Sequence, residues 1–173
     1  MHHSDFIAIL GAIYKPKVYV ELGLYQGETL SKMQPHIEKG YGVDMNSNDF
    51  LQNLKLFTNL EIVFKTTNSF FDNFNDGIDM AFIDADHCYE SALVDFENVY
   101  KRLNLGGIII LHDTDPKSNH LIHPGYCGDS YKMVTYLENK SDINCTTLPL
   151  TEAGLTMVTK KNDTRTFRRG IET

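Results

Sequence analysis

What this sequence lacks narrows its function first. It has no low-complexity tract and no internal repeat, so solenoids and disordered linkers are excluded. It has no excess of base: 16 Lys and Arg face 23 Asp and Glu, for a formal net charge of −7. Such a chain repels phosphate backbones and lacks the electrostatic footprint of a nucleic-acid binder, which favours small-molecule partners. Its cysteines are scarce. Cys88, Cys127 and Cys145 are odd in number and spaced unlike a disulfide or zinc framework, so free thiols in a reducing, cytoplasmic compartment are expected. Long apolar runs are also missing, because the stretch from Phe6 to Ile13 is short and broken by Gly11. No signal peptide or membrane span is therefore expected. The basic cluster Thr164-Arg165-Thr166-Phe167-Arg168-Arg169 reads as a solvated end, and Met1-His2-His3 receives no role.

What is present suits one globular domain over residues 1–173, with 42% hydrophobic and 23% charged residues. The organising stretch runs from Val18 to Leu30. β-Branched and aromatic residues stop at Glu21, the chain turns on Gly23 and Gly27, and a helical pattern resumes: strand, tight loop, helix start. Gly23 permits a backbone angle closed to other residues, and Gly27 permits close approach to a ligand or to the sheet. A dinucleotide site wants G-x-G-x-x-G, whose middle glycine makes room for a pyrophosphate. Here Tyr25 stands in the middle, which argues against NAD.

Along the chain, Ser4 is expected to cap a first helix ending at Lys15-Pro16. A helix from Glu28 to about Ile37 follows, with Pro35 weakening its last turn. Lys39 to Asp44 reads as a second strand, and Asp44 falls about 20 residues past the glycine loop, where a nucleotide-binding fold sets a carboxylate on ribose hydroxyls. A helix through Phe57, a third strand from Leu60 and the polar turn Thr66-Thr67-Asn68-Ser69 come next. The blocks Ile78 to Glu90 and Leu105 to Asp113 are joined by an amphipathic helix that ends over Asn104 to Gly107, a parallel strand-helix-strand unit. That arrangement opens Asp84, Asp86, His87, His112 and Asp113 on the same edge as Gly23. The loop from Thr114 to Gly125 suits a substrate-facing lid. A helix from Tyr126 to about Leu137 precedes two strands, Cys145–Leu150 and Gly154–Lys160, joined as a hairpin.

Glu21-x-Gly23-x-x-x-Gly27 resembles motif I of the class I S-adenosylmethionine (SAM)-dependent methyltransferases, with Tyr25 replacing the family's middle glycine. The block Phe82-Ile83-Asp84-Ala85-Asp86-His87-Cys88-Tyr89, with His112-Asp113, resembles the small-molecule O-methyltransferases of that family. The resemblance runs from about Val18 to Lys160. It implies an α/β, Rossmann-like, doubly wound and mostly parallel seven-stranded sheet with a C-terminal antiparallel hairpin, and methyl transfer from SAM to a small-molecule hydroxyl. It implies cofactor contacts from Glu21, Gly23, Tyr25, Gly27, Asp44, Asn68, Ser69 and Asp84. His87, His112 and Asp113 are the candidate catalytic groups, since a histidine can take the acceptor's proton near neutral pH. Catechol- and caffeoyl-type members hold Mg²⁺ or Ca²⁺. The matching positions here are Asp84, His112 and Asp113, although a histidine suits Mg²⁺ less well than an oxygen ligand. A noncatalytic SAM- or nucleotide-binding module and a metal-dependent hydrolase stay open as alternatives, as does a homodimer that completes the pocket.

Overall fold

The computed structural model describes residues 2–161, so the expectation for the 164–169 basic cluster lies outside the described residues. Helix α1 spans His3–Tyr14. Its cap is His2 and not Ser4: the His2 ring accepts from the Ser4 amide. Ser4 is buried one turn in and donates its hydroxyl to Glu28. The helix stops where Lys15 turns left-handed, just before Pro16.

Strand β1 (Val18–Leu22) leads into helix α2, which is shorter than the sequence pattern suggests. It runs only from Glu28 to Met33, and the chain then tightens into a 3₁₀ turn over Gln34–His36. Pro35 is the reason, since it has no amide to continue the α pattern. Strand β2 (Lys39–Asp44) ends at the expected acid. Helix α3 (Asp49–Leu54) is capped by Asn48 and ends before Phe57, and strand β3 spans Leu60–Phe64. The polar turn after it is the cap and first turn of a short helix, α4 (Thr67–Phe71), with the Thr66 hydroxyl accepting from the Ser69 amide.

Strand β4 (Ile78–Ile83), helix α5 (Tyr89–Arg102) and strand β5 (Leu103–His112) form the expected crossover. Beyond them, Asn119–Ile122 and Ser130–Lys132 make 3₁₀ turns, so helix α6 is confined to Met133–Asn139. Strands β6 (Ile143–Leu148) and β7 (Leu155–Lys160) close the sheet.

The seven strands lie in the order β3-β2-β1-β4-β5-β7-β6. All neighbours pair in parallel except β7, which is antiparallel to β5 and β6. Alternation along the strands splits the core. Val20, Leu22, Ala81 and Ile109 pack against α4, α5 and α6, whereas Tyr19, Met80, Phe82 and Ile110 pack against α1, α2 and α3. Strand order reverses between β1 and β4, which opens a crevice at their C-terminal ends. No described helix is long and apolar enough to cross a membrane.

Candidate active site

The crevice begins where β1 and β4 end. The Gly23 amide bonds to the Val43 carbonyl, and the Asp84 amide bonds to the Leu22 carbonyl, so the two loops leave the sheet side by side. Gly23 has φ 83°, and a Cβ there would run into the Asp84 carbonyl. Glycine is required by this close approach of two backbones. Gly27 also has a positive φ, and a side chain there would meet Leu51 and Leu54 of α3. Its close packing is therefore on α3 and not on the sheet. Between them Tyr25 is held at φ 49° and leaves its ring 82% exposed.

Asp44 organises this loop. One carboxylate oxygen accepts from the Leu24 amide at 2.8 Å and the Tyr25 amide at 3.2 Å, while the other accepts from Asn46 at 2.8 Å. The glycine loop thus takes its shape from the acid one strand away. Next to Asp44, Met45 stands 70% exposed and offers an apolar face on the same edge. Asn68 and Ser69 lie on α4: Asn68 accepts from Asn98 of α5, and Ser69 is bound up in the Thr66 cap. Beneath them Asp95 is buried with the Thr67 hydroxyl as partner, and burial pushes its carboxyl up to about 6.

Glu21 lies elsewhere. Strand alternation points it into the α1–α3 layer, where it is 1% exposed and accepts from the Tyr19 hydroxyl at 2.7 Å. Burial pushes its carboxyl up to about 8, even though Tyr19 and the Leu30 backbone bond to it.

The chemically dense part lies at the ends of β4 and β5. The His112 Nδ1 sits between two carboxylates, 3.0 Å from Asp84 Oδ1 and 3.1 Å from Asp113 Oδ1. His87, carried back by the loop after β4, places Nε2 3.3 Å from Asp113 Oδ2. Two imidazoles and two carboxylates therefore alternate. Burial lowers the His112 pKa, but Asp84 and Asp113 together outweigh it and hold the imidazole above its ordinary range. Burial raises the Asp113 carboxyl, with His112 opposing. Both shifts favour keeping protons in the cluster. Asp113 has φ 60°, and the buried Cys127 thiol donates to it. Burial, then the Asp113 charge and that bond, push the thiol up to about 12. Gly128 and Asp129 clamp the His87 loop from behind, the Asp129 amide bonding to the His87 carbonyl and its carboxylate accepting from Tyr89.

Asp84, His87 and Asp113 bring ligand atoms within 4.8 Å of one another, the spacing a single cation needs. The triad expected from the sequence had His112 in place of His87. His112 follows Ile110 onto the α1 side of the sheet, and its Nε2 is shut from solvent without a partner among the described residues. Only 13% of its side chain is exposed, against 36% for His87.

A family model described as a methyltransferase domain matches residues 20–114, more than half of the chain. The chain belongs to this family. The matched residues run from β1 to the residue after Asp113, so they carry the glycine loop, Asp44 and the Asp84–Asp113 cluster of this methyltransferase domain. An uncharacterized protein of Acanthamoeba polyphaga mimivirus is 31% identical over 115 residues, and the chain spans about half the length of that curated relative. Among solved structures, an O-methyltransferase from Bacillus cereus in complex with S-adenosylhomocysteine superposes with a TM-score of 0.72 at 16% identity, over 92% of this chain and 80% of that one. An rRNA methylase from Streptococcus thermophilus superposes with a TM-score of 0.69 at 15% identity, over 92% and 95%. At such identities the likeness is one of fold, and it includes the antiparallel β7.

Three groups at this site carried no signal that sequence reasoning used. His3 packs its ring on His112 with centroids 4.4 Å apart. From the sequence Cys127 is expected only to be a free thiol, and Met45 has no assigned role.

Proposed function

We propose that the chain uses SAM to methylate a hydroxyl group of a small molecule. The observation that carries this reading is the Asp84–His112–Asp113–His87 cluster, set beside the glycine loop at the switch point of a methyltransferase domain. The donor set suits the cofactor. Asp44 and Met45 offer a carboxylate for ribose hydroxyls and an apolar face for a base, and Asp84 adds negative charge that favours the sulfonium and amino groups of SAM. A pyrophosphate would meet the same carboxylates, which disfavours NAD. Glu21 is read here as a buried anchor of the strand–helix junction rather than a ligand group.

Bound SAM supplies an electrophilic methyl carbon whose bond to sulfur breaks as the acceptor oxygen attacks, leaving S-adenosylhomocysteine. The chain's own work is to align the acceptor and take its proton. His87 is the better placed base, because its side chain is 36% exposed against 13% for His112, and Asp113, 3.3 Å from its Nε2, can stabilise the imidazolium that forms when the ring takes the proton. His112 then holds Asp84 and Asp113 in position. If a cation is required, Asp84, His87 and Asp113 would hold it, and a set of two carboxylates and an imidazole suits Mn²⁺ or Zn²⁺ better than Mg²⁺. Such an ion would lower the acceptor hydroxyl's pKa. The formal charge of −7 supports a small molecule over nucleic acid. One domain over residues 1–173, acting in the cytoplasm alone or as a homodimer, completes the proposal.

Calorimetric titration of the metal-free protein with S-adenosylhomocysteine and with NAD tests the reading. Micromolar binding of the first without the second is expected. Binding of NAD alone, or of neither, would overturn it.

A further inference from the structure

Behind the cluster, on the α5–α6 side of the sheet, the ends of β4 and β5 enclose a cavity of about 10 Å³. Asp84, His87, Asp113, Thr114 and Ser130 line it, over the buried Met133. One water-sized group needs roughly 10–15 Å³ by this measure, so the cavity has room for an oxygen and none for a ring or the larger sulfur. The rest of any guest must stay in the crevice.

The two hydroxyls in its wall are buried, Thr114 at 4% and Ser130 at 5% exposure. Thr156 Oγ1 donates to Thr114 Oγ1 at 2.9 Å, and the Thr147 and Thr156 hydroxyls also lie 2.9 Å apart. A hydroxyl has one proton, so Thr147 supplies the bond to Thr156, Thr156 supplies the bond to Thr114, and Thr114 keeps a proton to give. Among the described residues that proton has no acceptor, and the Ser130 hydroxyl, which opens on the cavity, makes no hydrogen bond. Buried hydroxyls in this state cost free energy unless a guest satisfies them. On the other wall, a carboxylate has about four lone-pair sites, and His112, His87 and Cys127 take three of those on Asp113. The guest that fits accepts from Thr114 and donates to Asp113 or His87. A hydroxyl does both, and a protonated amine cannot accept.

We propose that this cavity seats the reacting oxygen of the methyl acceptor, and that Thr114 and Ser130 are specificity-determining residues that orient this oxygen and restrict the seat to it. This rests on the methyl-transfer reading. Held by Thr114 on one lone pair, the oxygen turns its proton toward His87 and keeps its other lone pair for the methyl carbon. As the oxygen–methyl bond forms and the methyl–sulfur bond breaks, the proton passes to His87 Nε2, which leaves the methyl ether or ester, S-adenosylhomocysteine and an imidazolium beside Asp113.

The test uses trifluoroethanol, followed by fluorine NMR as it is titrated at non-denaturing concentrations into protein saturated with S-adenosylhomocysteine. Wild type, Thr114→Val, Thr114→Ser and Ser130→Ala are compared. Thr114→Val and Ser130→Ala are each expected to weaken trifluoroethanol binding by about three- to tenfold, whereas Thr114→Ser, which keeps the hydroxyl, binds as wild type does. S-adenosylhomocysteine affinity should be equal in all, and trifluoroethanethiol should not displace the alcohol. A crystal of the S-adenosylhomocysteine complex soaked in trifluoroethanol should show the alcohol oxygen within hydrogen-bond distance of the Thr114 and Ser130 hydroxyls. Should Thr114→Val fail to fold, Ser130→Ala and the soaked crystal carry the comparison. Equal alcohol affinity in the variants that lack a hydroxyl, displacement by the thiol, no alcohol binding by wild type, or a soaked crystal with only water in the cavity would overturn the seat alone. Failure of the wild type to bind S-adenosylhomocysteine would overturn the methyl-transfer reading and the seat with it.

Discussion

The two halves of the crevice are built on different principles. On the β1–β2 side, polar side chains are spent on backbone: Asp44 takes three loop amides, and Gly23 exists so that two chains can touch. On the β4–β5 side, Asp84, His87, His112 and Asp113 take one another as partners, and Cys127 completes the ring around Asp113. The first half is a shaped cradle whose geometry rests on backbone amides held by one carboxylate. The second is a proton-holding cluster in which His112 and Asp113 both hold their protons more tightly than usual. A cofactor that must be positioned suits the first, and a proton that must move suits the second.

Beneath both halves, Glu21 has its pKa raised from 4.5 to about 8, so the folded state binds a proton more tightly than the unfolded chain. That stability is fully present below about pH 4.5 and lost as pH rises through about 8, a change of roughly 3–5 kcal/mol. Urea unfolding at pH 5 and pH 8 should show this fall in wild type, and Glu21→Gln should flatten it. An equally steep fall in the variant would put the linkage elsewhere.

On the cradle side, Gly23→Ala should destabilise by roughly 2–4 kcal/mol, since it combines a positive φ with a backbone collision. A urea midpoint unchanged from wild type would mean the two loops are not in contact. On the cluster side, His87→Ala should lower turnover by about 10²–10⁴ once an acceptor is known, with little effect on the unfolding midpoint. Retained turnover would pass the base role to another group. The smallest effect belongs to Lys32→Ala. Its ion pairs are exposed, so stability should move little, while salt above the physiological range should erase what difference there is.

Much of this architecture can be read from residue order alone, and the failures have physical causes. The strands were legible because a buried parallel strand needs apolar residues on both faces, and Val18 to Leu22 and Ile78 to Ile83 supply them. Asp44, Asp84 and Asp113 were legible because each acid directly ends an apolar strand. Helix ends were less so: α2 stops early at Pro35, and α1 is capped by a histidine ring, which lies outside the usual Ser, Thr, Asp and Asn set. The acid pattern of motif I did not reveal that Glu21 would face the α1 layer, because that depends on which way the strand's alternation is set by its neighbours. His3 was silent for a stronger reason. Its contact with His112 spans more than a hundred residues of chain and exists only once α1 has packed on the sheet.

We propose that the β1–β2 side binds the cofactor and the β4–β5 side does the chemistry. One calorimetric series with S-adenosylhomocysteine tests it most directly, using wild type, Asp44→Ala and His87→Ala, each confirmed folded. Asp44→Ala is expected to lose roughly 1.5–3 kcal/mol of binding free energy while His87→Ala binds as wild type does. Unchanged affinity in Asp44→Ala together with a loss in His87→Ala would contradict it.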